Sequence, residues 1–134
     1  MFVDASALTA IIANEPDGPA LLIALRRTDR RYTSAVAVYE AVLALARIGN
    51  TAVALSRAVV QQFLGEFSVE LIPITAEIGT LAIAAFERFG RPHHPARLNM
   101  GDCFAYACAR TLQVPLLFKG EDFRHPDIAA GLRR

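Results

Sequence analysis

Short apolar runs alternate along this chain with longer segments that carry apolar residues at helical spacing. The short apolar runs are Phe2–Val3 and residues 69–74 and 115–118, residues 31–33 are a weaker strand candidate, and the helical segments between them include 7–13, 35–46, 52–67 and 99–112. Strands that alternate with helices favour a mostly parallel sheet covered on both faces. The pattern therefore predicts an α/β fold, in which the β-branched run 69–74 is a buried strand.

The length and composition suit one compact domain. The chain has 134 residues, 54% of them hydrophobic, and no repeat or low-complexity tract divides it. We therefore predict a single domain over residues 1–134. The formal net charge is only +1, so the sequence lacks the overall basic bias of many nucleic-acid-binding proteins. Any nucleic-acid site must be local.

Polar residues predict where the helices begin. Ser6, Ser34 and Thr75 are each placed to cap a helix, and either Asn99 or Gly101 leads into a later one. In the helix after Thr75, five apolar residues recur at three- and four-residue spacing and predict a stripe that faces the core: Ile78, Leu81, Ala82, Ala85 and Phe86. The five-residue spacing of the two cysteines, Cys103 and Cys108, predicts reduced, buried thiols.

The N-terminal sequence argues against secretion and membrane insertion. Asp4 stands where a signal peptide would need apolar residues, and no run approaches eighteen apolar residues. We expect a soluble, cytoplasmic protein that does not contact a membrane.

Acidic residues follow the predicted strands or begin the helices after them. Asp4 follows the first strand, Asp102 falls in the first turn of a helix, and the Glu121–Asp122 pair follows the last strand. Open α/β sheets place their sites at these carboxyl ends. Asp4 and Asp102 can equally be turn or cap residues, and spacing alone leaves both roles open.

Glu40 is the most unusual acid, because it lies inside the apolar stretch 35–46 with no Lys or Arg within one helical turn. Burying an uncompensated carboxylate is costly, and a bound divalent cation would supply the missing charge. Mg²⁺ and Mn²⁺ take carboxylate oxygens and support phosphodiester hydrolysis. The clustered acids therefore predict a metal-dependent hydrolase.

Four segments of the chain together resemble PIN-domain ribonucleases of the VapC type. They are residues 1–7, the Glu40 helix after Thr33 and Ser34, the segment 98–106 with its Leu-Asn-Met-Gly-Asp-Cys sequence, and the segment 115–123 with its Leu-Phe-Lys-Gly-Glu-Asp-Phe sequence. The resemblance spans nearly the whole chain. It implies a PIN-like three-layer α/β/α domain and an endoribonuclease that needs Mg²⁺ or Mn²⁺.

The resemblance also implies roles for individual residues and partners. Asp4, Glu40 and Asp102 match the three acidic positions of the family, with Asp4 and Asp102 as direct metal ligands. Glu40 would bind metal or orient the attacking water, and Asp122, or alternatively Glu121, would be the fourth acid. The expected partners are an RNA substrate, a VapB-like antitoxin and a second copy in a homodimer. The Ala-rich surfaces of residues 6–27 and 35–57 are the predicted faces for antitoxin and dimer.

Other interpretations of the residues stay open at this point. Two basic clusters could contact phosphates or be solvated loops: Arg26, Arg27, Arg30 and Arg31, and Arg91, His93, His94 and Arg97. The adjacent histidines lack the spacing of a zinc site. The main alternative to an enzyme is a non-catalytic PIN-like module that acts by binding a partner.

Overall fold

The structure is a computed structural model that describes residues 1–132. Its strands are β1 (Phe2–Val3), β2 (Arg31–Ser34), β3 (Val69–Ile72) and β4 (Leu116–Leu117). Its helices are α1 (Ala5–Ile12), α2 (Gly18–Arg26), α3 (Ala35–Gly49), α4 (Val53–Glu66), α5 (Ala76–Phe89), α6 (Met100–Leu112) and α7 (Pro126–Leu132), with a 3₁₀ turn at Asp122–Arg124. The single-domain prediction includes Arg133 and Arg134, which lie outside the described residues.

The four strands form one parallel sheet in the order β3-β2-β1-β4. Consecutive side chains of a strand point to opposite faces, so Phe2 packs with α5 and α6 whereas Val3 packs with α1, α3 and α4. Leu116 and Leu117 divide between the two faces in the same way. Helices cover both faces, which confirms the predicted three-layer α/β/α fold with a mostly parallel sheet.

The position of β1 inside the sheet determines which residues meet at the carboxyl edge. Its neighbours are β2 and β4, and the backbone N–H of Asp4 donates to the carbonyl of Leu117 at 3.0 Å. The Thr33 hydroxyl donates to the carbonyl of Val3 at 2.8 Å and ties β2 to the same end of β1. Asp4 is thereby fixed between the start of α3 and the loop after β4.

Two local predictions need correction, and one open alternative is settled. The strand at 69–74 is shorter and lies at the sheet edge: it ends at Ile72, and Leu71 is 48% exposed. Pro73 follows it, and proline has no N–H to extend the ladder. In α5, Phe86 is 42% exposed whereas Phe89 enters the core. The helix at Asn99 begins with that residue as its cap, so Gly101 lies inside the first turn.

Candidate active site

Asp4 ends β1 and caps α1, which corrects the prediction that Ser6 is the cap. Its carboxylate accepts hydrogen bonds from the backbone N–H of Ser6 at 3.1 Å and from the Ser6 hydroxyl. The Ser6 oxygen in turn accepts the backbone N–H of Lys119 at 3.0 Å, so the loop after β4 is joined to the same network. Asp4 is only 4% exposed. Burial raises the pKa of its carboxyl, although the hydrogen bonds from Ser6 and Ala5 oppose that shift.

Glu40 lies on α3, which begins at the Ser34 cap directly after β2. Its carboxylate packs against Gly101 in α6, so closely that a methyl group on Gly101 would overlap it. Burial, together with the negative charges of Asp4 and Asp102, raises the pKa of Glu40 to about 7. The three acids are therefore close enough for their negative charges to repel one another.

Asp102 belongs to a capping box at the start of α6. The Asn99 side chain accepts the Asp102 N–H at 2.9 Å, and the Asp102 carboxylate accepts the Asn99 N–H at 3.1 Å. Burial raises the pKa of Asp102 to about 6 against the lowering effect of the Asn99 hydrogen bond, and the charges of Asp4 and Asp122 add to the rise. Asp102 therefore takes part in helix capping, the role that the sequence left open, and also lies close to the other acids.

These side chains share one cleft of about 510 Å³. Its walls come from α1, α3, the start of α6 and the loop after β4, and the charged residues that line it are Asp4, Glu15, Glu40, Arg47, Asp102 and Lys119. Lys119 forms an ion pair with Glu15 across the mouth of the cleft. The structure thus brings the three predicted acids together from three separate elements.

Comparison with known proteins decides the family. Residues 1–129 match the PIN domain family. The chain belongs to the PIN-domain family. It is 37% identical over 130 residues to ribonuclease VapC30 of Mycobacterium tuberculosis, covering 96% of each chain. It is 37% identical over 131 residues to ribonuclease VapC of Mycolicibacterium smegmatis, covering 97% of this chain and 98% of the relative. It is also 38% identical over 135 residues to ribonuclease VapC28 of Mycobacterium tuberculosis. The resemblance to VapC-type PIN domains predicted from the sequence is confirmed.

The structure gives different surroundings to the two candidates for the predicted fourth acid. Asp122 begins the 3₁₀ turn and is exposed, yet its charge contributes to the raised pKa of Asp102. Glu121 is also exposed, and its carboxylate lies 3.6 Å from the Arg124 guanidinium. The electrostatic contact with Asp102 favours Asp122 over Glu121.

The donor set of the cleft suits a hard divalent cation, although the side chains do not form a ready-made cage. Within residues 1–132, no group of three or more His, Cys, Asp or Glu side chains is close enough to hold a metal ion as the side chains stand. Asp4 is turned toward Ser6 and Asp102 toward the Asn99 N–H. The chemistry nevertheless fits, because partly buried carboxylates with raised pKa values are the groups that a cation stabilises.

Several residues that line the cleft did not emerge from sequence reasoning, among them Glu15, Tyr39 and Arg47. Arg47 could have been found from its spacing, since it follows Glu40 by seven residues, about two turns of α3, and so lies on the same side of the helix. The pairing of Glu15 with Lys119 joins residues far apart in the chain and leaves no local signal.

One residue of each basic cluster forms structural hydrogen bonds. The Arg31 guanidinium donates to the carbonyls of Leu25 and Phe67, both at 2.8 Å. It thereby links the end of α2 to the end of α4. His94 is hydrogen-bonded to Asp127 at 2.8 Å and to the Ala96 N–H at 3.0 Å, within a surface cavity of about 460 Å³ formed by the loop 91–97. Arg31 and His94 therefore stabilise the fold.

Two further predictions concern the thiols and the membrane. Cys103 and Cys108 are buried as predicted, and burial raises the pKa of each thiol to about 11. Among the described residues, no helix combines the length and apolarity needed to cross a bilayer.

Proposed function

We propose that this PIN domain is a divalent-metal-dependent endoribonuclease that acts as the toxin of a VapB–VapC-like pair. The main support is the cleft that collects Asp4, Glu40 and Asp102, where burial raises the pKa of each carboxyl and the charges of both aspartates raise that of Glu40 further. The curated relatives support it, since their names identify them as VapC-type ribonucleases. The reaction is hydrolysis of an RNA phosphodiester that leaves a 3′ hydroxyl and a 5′ phosphate.

The cation would be Mg²⁺ or Mn²⁺, held by Asp4 and Asp102 with Asp122 as an outer acid. Such an ion supplies neutralising charge for a phosphoryl oxygen and lowers the pKa of water in its coordination sphere. Both metals prefer carboxylate and water oxygens, the donors that line the cleft.

The other side chains of the cleft have separate proposed roles in orienting the metal ligands and the attacking water. Ser6 holds the Asp4 carboxylate in one orientation, and Asn99 does the same for Asp102. Glu40 faces the two aspartates with its pKa raised to about 7 and orients the attacking water through a carboxylate oxygen. Water attacks in line with the departing 3′ oxygen, so no side chain forms a covalent bond to the RNA.

The proposed antitoxin is VapB-like and covers the same end of the molecule. An apolar groove of about 180 Å³ between α1, α3 and α4 is lined by Ile12, Leu45, Leu55 and Val59. Leu55 is 58% exposed in this groove, and Ile48, on the same helix as Leu45, is 55% exposed and lines the acidic cleft. A partner with an apolar segment followed by basic residues would fill the groove and neutralise the acids.

The homodimer remains a prediction with two possible faces. The surface of residues 35–57 was expected from the sequence, and it is partly apolar, with Ile48 and Val53 more than half exposed. A second apolar surface on α5 and α6 was not expected and includes Ile83, Phe86 and Met100. Light scattering of the Ile48→Glu and Ile83→Glu variants identifies the face, and a wild-type protein that is monomeric at all concentrations contradicts the dimer.

A calorimetric titration of Mg²⁺ or Mn²⁺ into the metal-free protein tests the proposed site. We expect wild-type protein and an Asp29→Asn control on an exposed loop to bind metal equally, and Asp102→Asn to bind at least about 10-fold more weakly. Equal binding by all three proteins would contradict a metal site at Asp102.

Growth and capture experiments test the toxin assignment. We expect production of the protein to arrest bacterial growth and a VapB-like partner to restore it. Normal growth, together with capture of a partner by protein that cleaves no RNA, would favour the non-catalytic module.

A further inference from the structure

One face of α3 lines the acidic cleft with residues that the metal site does not use. Tyr39, Leu43 and Arg47 follow one another at four-residue spacing and therefore lie on the same side of the helix. All three line the cleft together with Glu40. A ligand in the cleft is therefore within reach of this face.

Tyr39 presents its ring to the solvent beside Glu40. The residue is 65% exposed, and within residues 1–132 its side chain has no hydrogen bond and no aromatic or cation partner. An exposed aromatic ring at the wall of a polar cleft is available to a flat ligand, and every nucleobase offers a flat face. Because a paired base is covered by its neighbours, stacking on a protein ring requires an unpaired one.

Arg47 supplies a positive charge on the same helix face. It follows Glu40 by seven residues, which is about 10 Å along the helix axis, and its guanidinium has no ion pair among the described residues. The other cation that lines the cleft, Lys119, is engaged by Glu15. Among the described residues that line the cleft, Arg47 is therefore the cation without an ion pair. Its distance from Glu40 along the helix suits contact with a phosphate other than the scissile one.

We propose that Tyr39 and Arg47 bind an unpaired segment of RNA, with the Tyr39 ring stacked on a base next to the scissile phosphate and Arg47 in contact with a neighbouring phosphate. This inference rests on the proposed ribonuclease function and assigns to that site two residues that hold the RNA strand beside the point of cleavage. Proteins that bind single strands combine these two features, an aromatic platform and a basic contact to the backbone.

The chemistry of the face favours RNA over a protein partner. A protein helix would bury apolar side chains, and the apolar groove between α1, α3 and α4 offers them a separate place. The face instead presents an exposed tyrosine and an arginine without an ion pair beside three carboxylates. These groups match RNA, in which flat bases alternate with negatively charged phosphates.

The test measures binding of a fluorescent oligoadenylate, alone or paired with oligouridylate, in an Asp102→Asn background with Mg²⁺ so that the probe stays intact. We expect the single strand to bind more tightly than the duplex. Tyr39→Phe should keep the affinity within about 2-fold, whereas Tyr39→Leu should weaken it by about 5- to 100-fold because the ring is lost. Arg47→Gln should reduce the slope of log affinity against log salt concentration by about 0.7.

Matched control variants separate this face from the rest of the surface. Leu71→Thr removes an exposed apolar side chain, 48% exposed, from β3, and Arg57→Gln removes an exposed cation from α4. Both should leave affinity and salt slope unchanged. Because Tyr39 and Arg47 are exposed, all variants should keep the wild-type thermal unfolding temperature.

The outcomes distinguish this inference from the proposed function. Unchanged binding in Tyr39→Leu and Arg47→Gln, or equal binding of single strand and duplex, would overturn the inference even if the wild-type protein cleaves RNA. The same holds if both variants lose antitoxin binding and keep RNA binding, because the face would then belong to the protein partner. Absence of any binding by the parent protein also overturns it, whereas cleavage of cellular RNA tests the ribonuclease separately.

Discussion

The carboxylate of Glu40 lies directly against Gly101 in the first turn of α6, where no side chain larger than hydrogen leaves it room. The contact joins α3 to α6 and brings Glu40 within the electrostatic reach of Asp102. A glycine at this position therefore decides whether the three acids can share one cleft.

Gly101→Ala should displace the Glu40 carboxylate and lower RNA cleavage by about 10- to 100-fold, because small misplacements of a reacting group are costly. Stability should fall much less, since alanine favours the helix and Glu40 can turn toward solvent. Gly79→Ala is the matched control: its added methyl group meets no atom within 4 Å, and it should stabilise α5 by about 0.5–1 kcal/mol with unchanged activity. Full activity in Gly101→Ala would show that the position of Glu40 is unimportant.

Asp4→Asn should distinguish the helix-capping role of Asp4 from its proposed role in metal binding and RNA cleavage. Asparagine caps a helix about as well as aspartate, so the free energy of unfolding should change by less than about 1 kcal/mol. Cleavage should fall by at least about 100-fold, more than is typical of a residue that only orients a metal ligand. Asp4→Ala should lose activity and also about 1 kcal/mol of stability. If Asp4→Asn unfolds as easily as Asp4→Ala and still cleaves RNA, Asp4 is only a cap.

The stability of the metal-free protein should depend on the protonation of Glu40. Its pKa rises from 4.5 to about 7 on folding, so the folded state holds the proton more tightly. The resulting stabilisation is fully present below pH 4.5 and is lost as the pH rises through about 7. Glu40→Gln should therefore stabilise the metal-free protein at about pH 8 by about 1 kcal/mol, after allowance for solvent screening, and much less at pH 5. Denaturant unfolding at both pH values checks this, and an equal effect at both would contradict it.

Metal affinity should fall as the pH drops. Mn²⁺ binding must displace protons from Glu40, with its pKa near 7, and from Asp102, with its pKa near 6. Titrations in buffers of different ionisation enthalpy should detect proton release at pH 6 and little at pH 8. Affinity that stays constant between these values, or activity that peaks at about pH 4 to 5, would exclude these carboxyls as ligands.

Asp122→Asn should lower activity more than Glu121→Gln. The charge of Asp122 reaches Asp102, whereas Glu121 is near Arg124 on the surface. Steady-state cleavage at limiting Mg²⁺ compares the two variants directly. A larger loss in Glu121→Gln would assign the fourth acid to Glu121 instead.

Much of the fold could be predicted because its signals are local. Ser34 and Thr75 cap their helices as expected, and alternation within β1 and β4 divides the core between the two faces of the sheet. The edge position of β3 was missed, since a β-branched run looks the same in the middle and at the border of a sheet. Whether Phe86 or Phe89 enters the core depends on how α5 is rotated about its axis against α6, which spacing alone does not determine.

The site was only partly accessible to sequence reasoning. Glu40 could be singled out because a carboxylate is anomalous among apolar residues, and the structure places it beside Asp4 and Asp102. The closeness of Glu40 to Gly101 and the pairing of Lys119 with Glu15 result from tertiary packing between distant segments. Ser6 was assigned the cap of α1, but the carboxylate two residues earlier accepts its N–H.

The most direct test is incubation of the purified, antitoxin-free protein with total cellular RNA in Mg²⁺ or Mn²⁺, beside EDTA controls and an Asp4→Asn, Asp102→Asn double variant that keeps both helix caps. We expect discrete fragments with 5′ phosphates that require metal and disappear in the double variant. Intact RNA after incubation with folded wild-type protein, or equal cleavage by the double variant, would contradict a metal-dependent ribonuclease at this cleft.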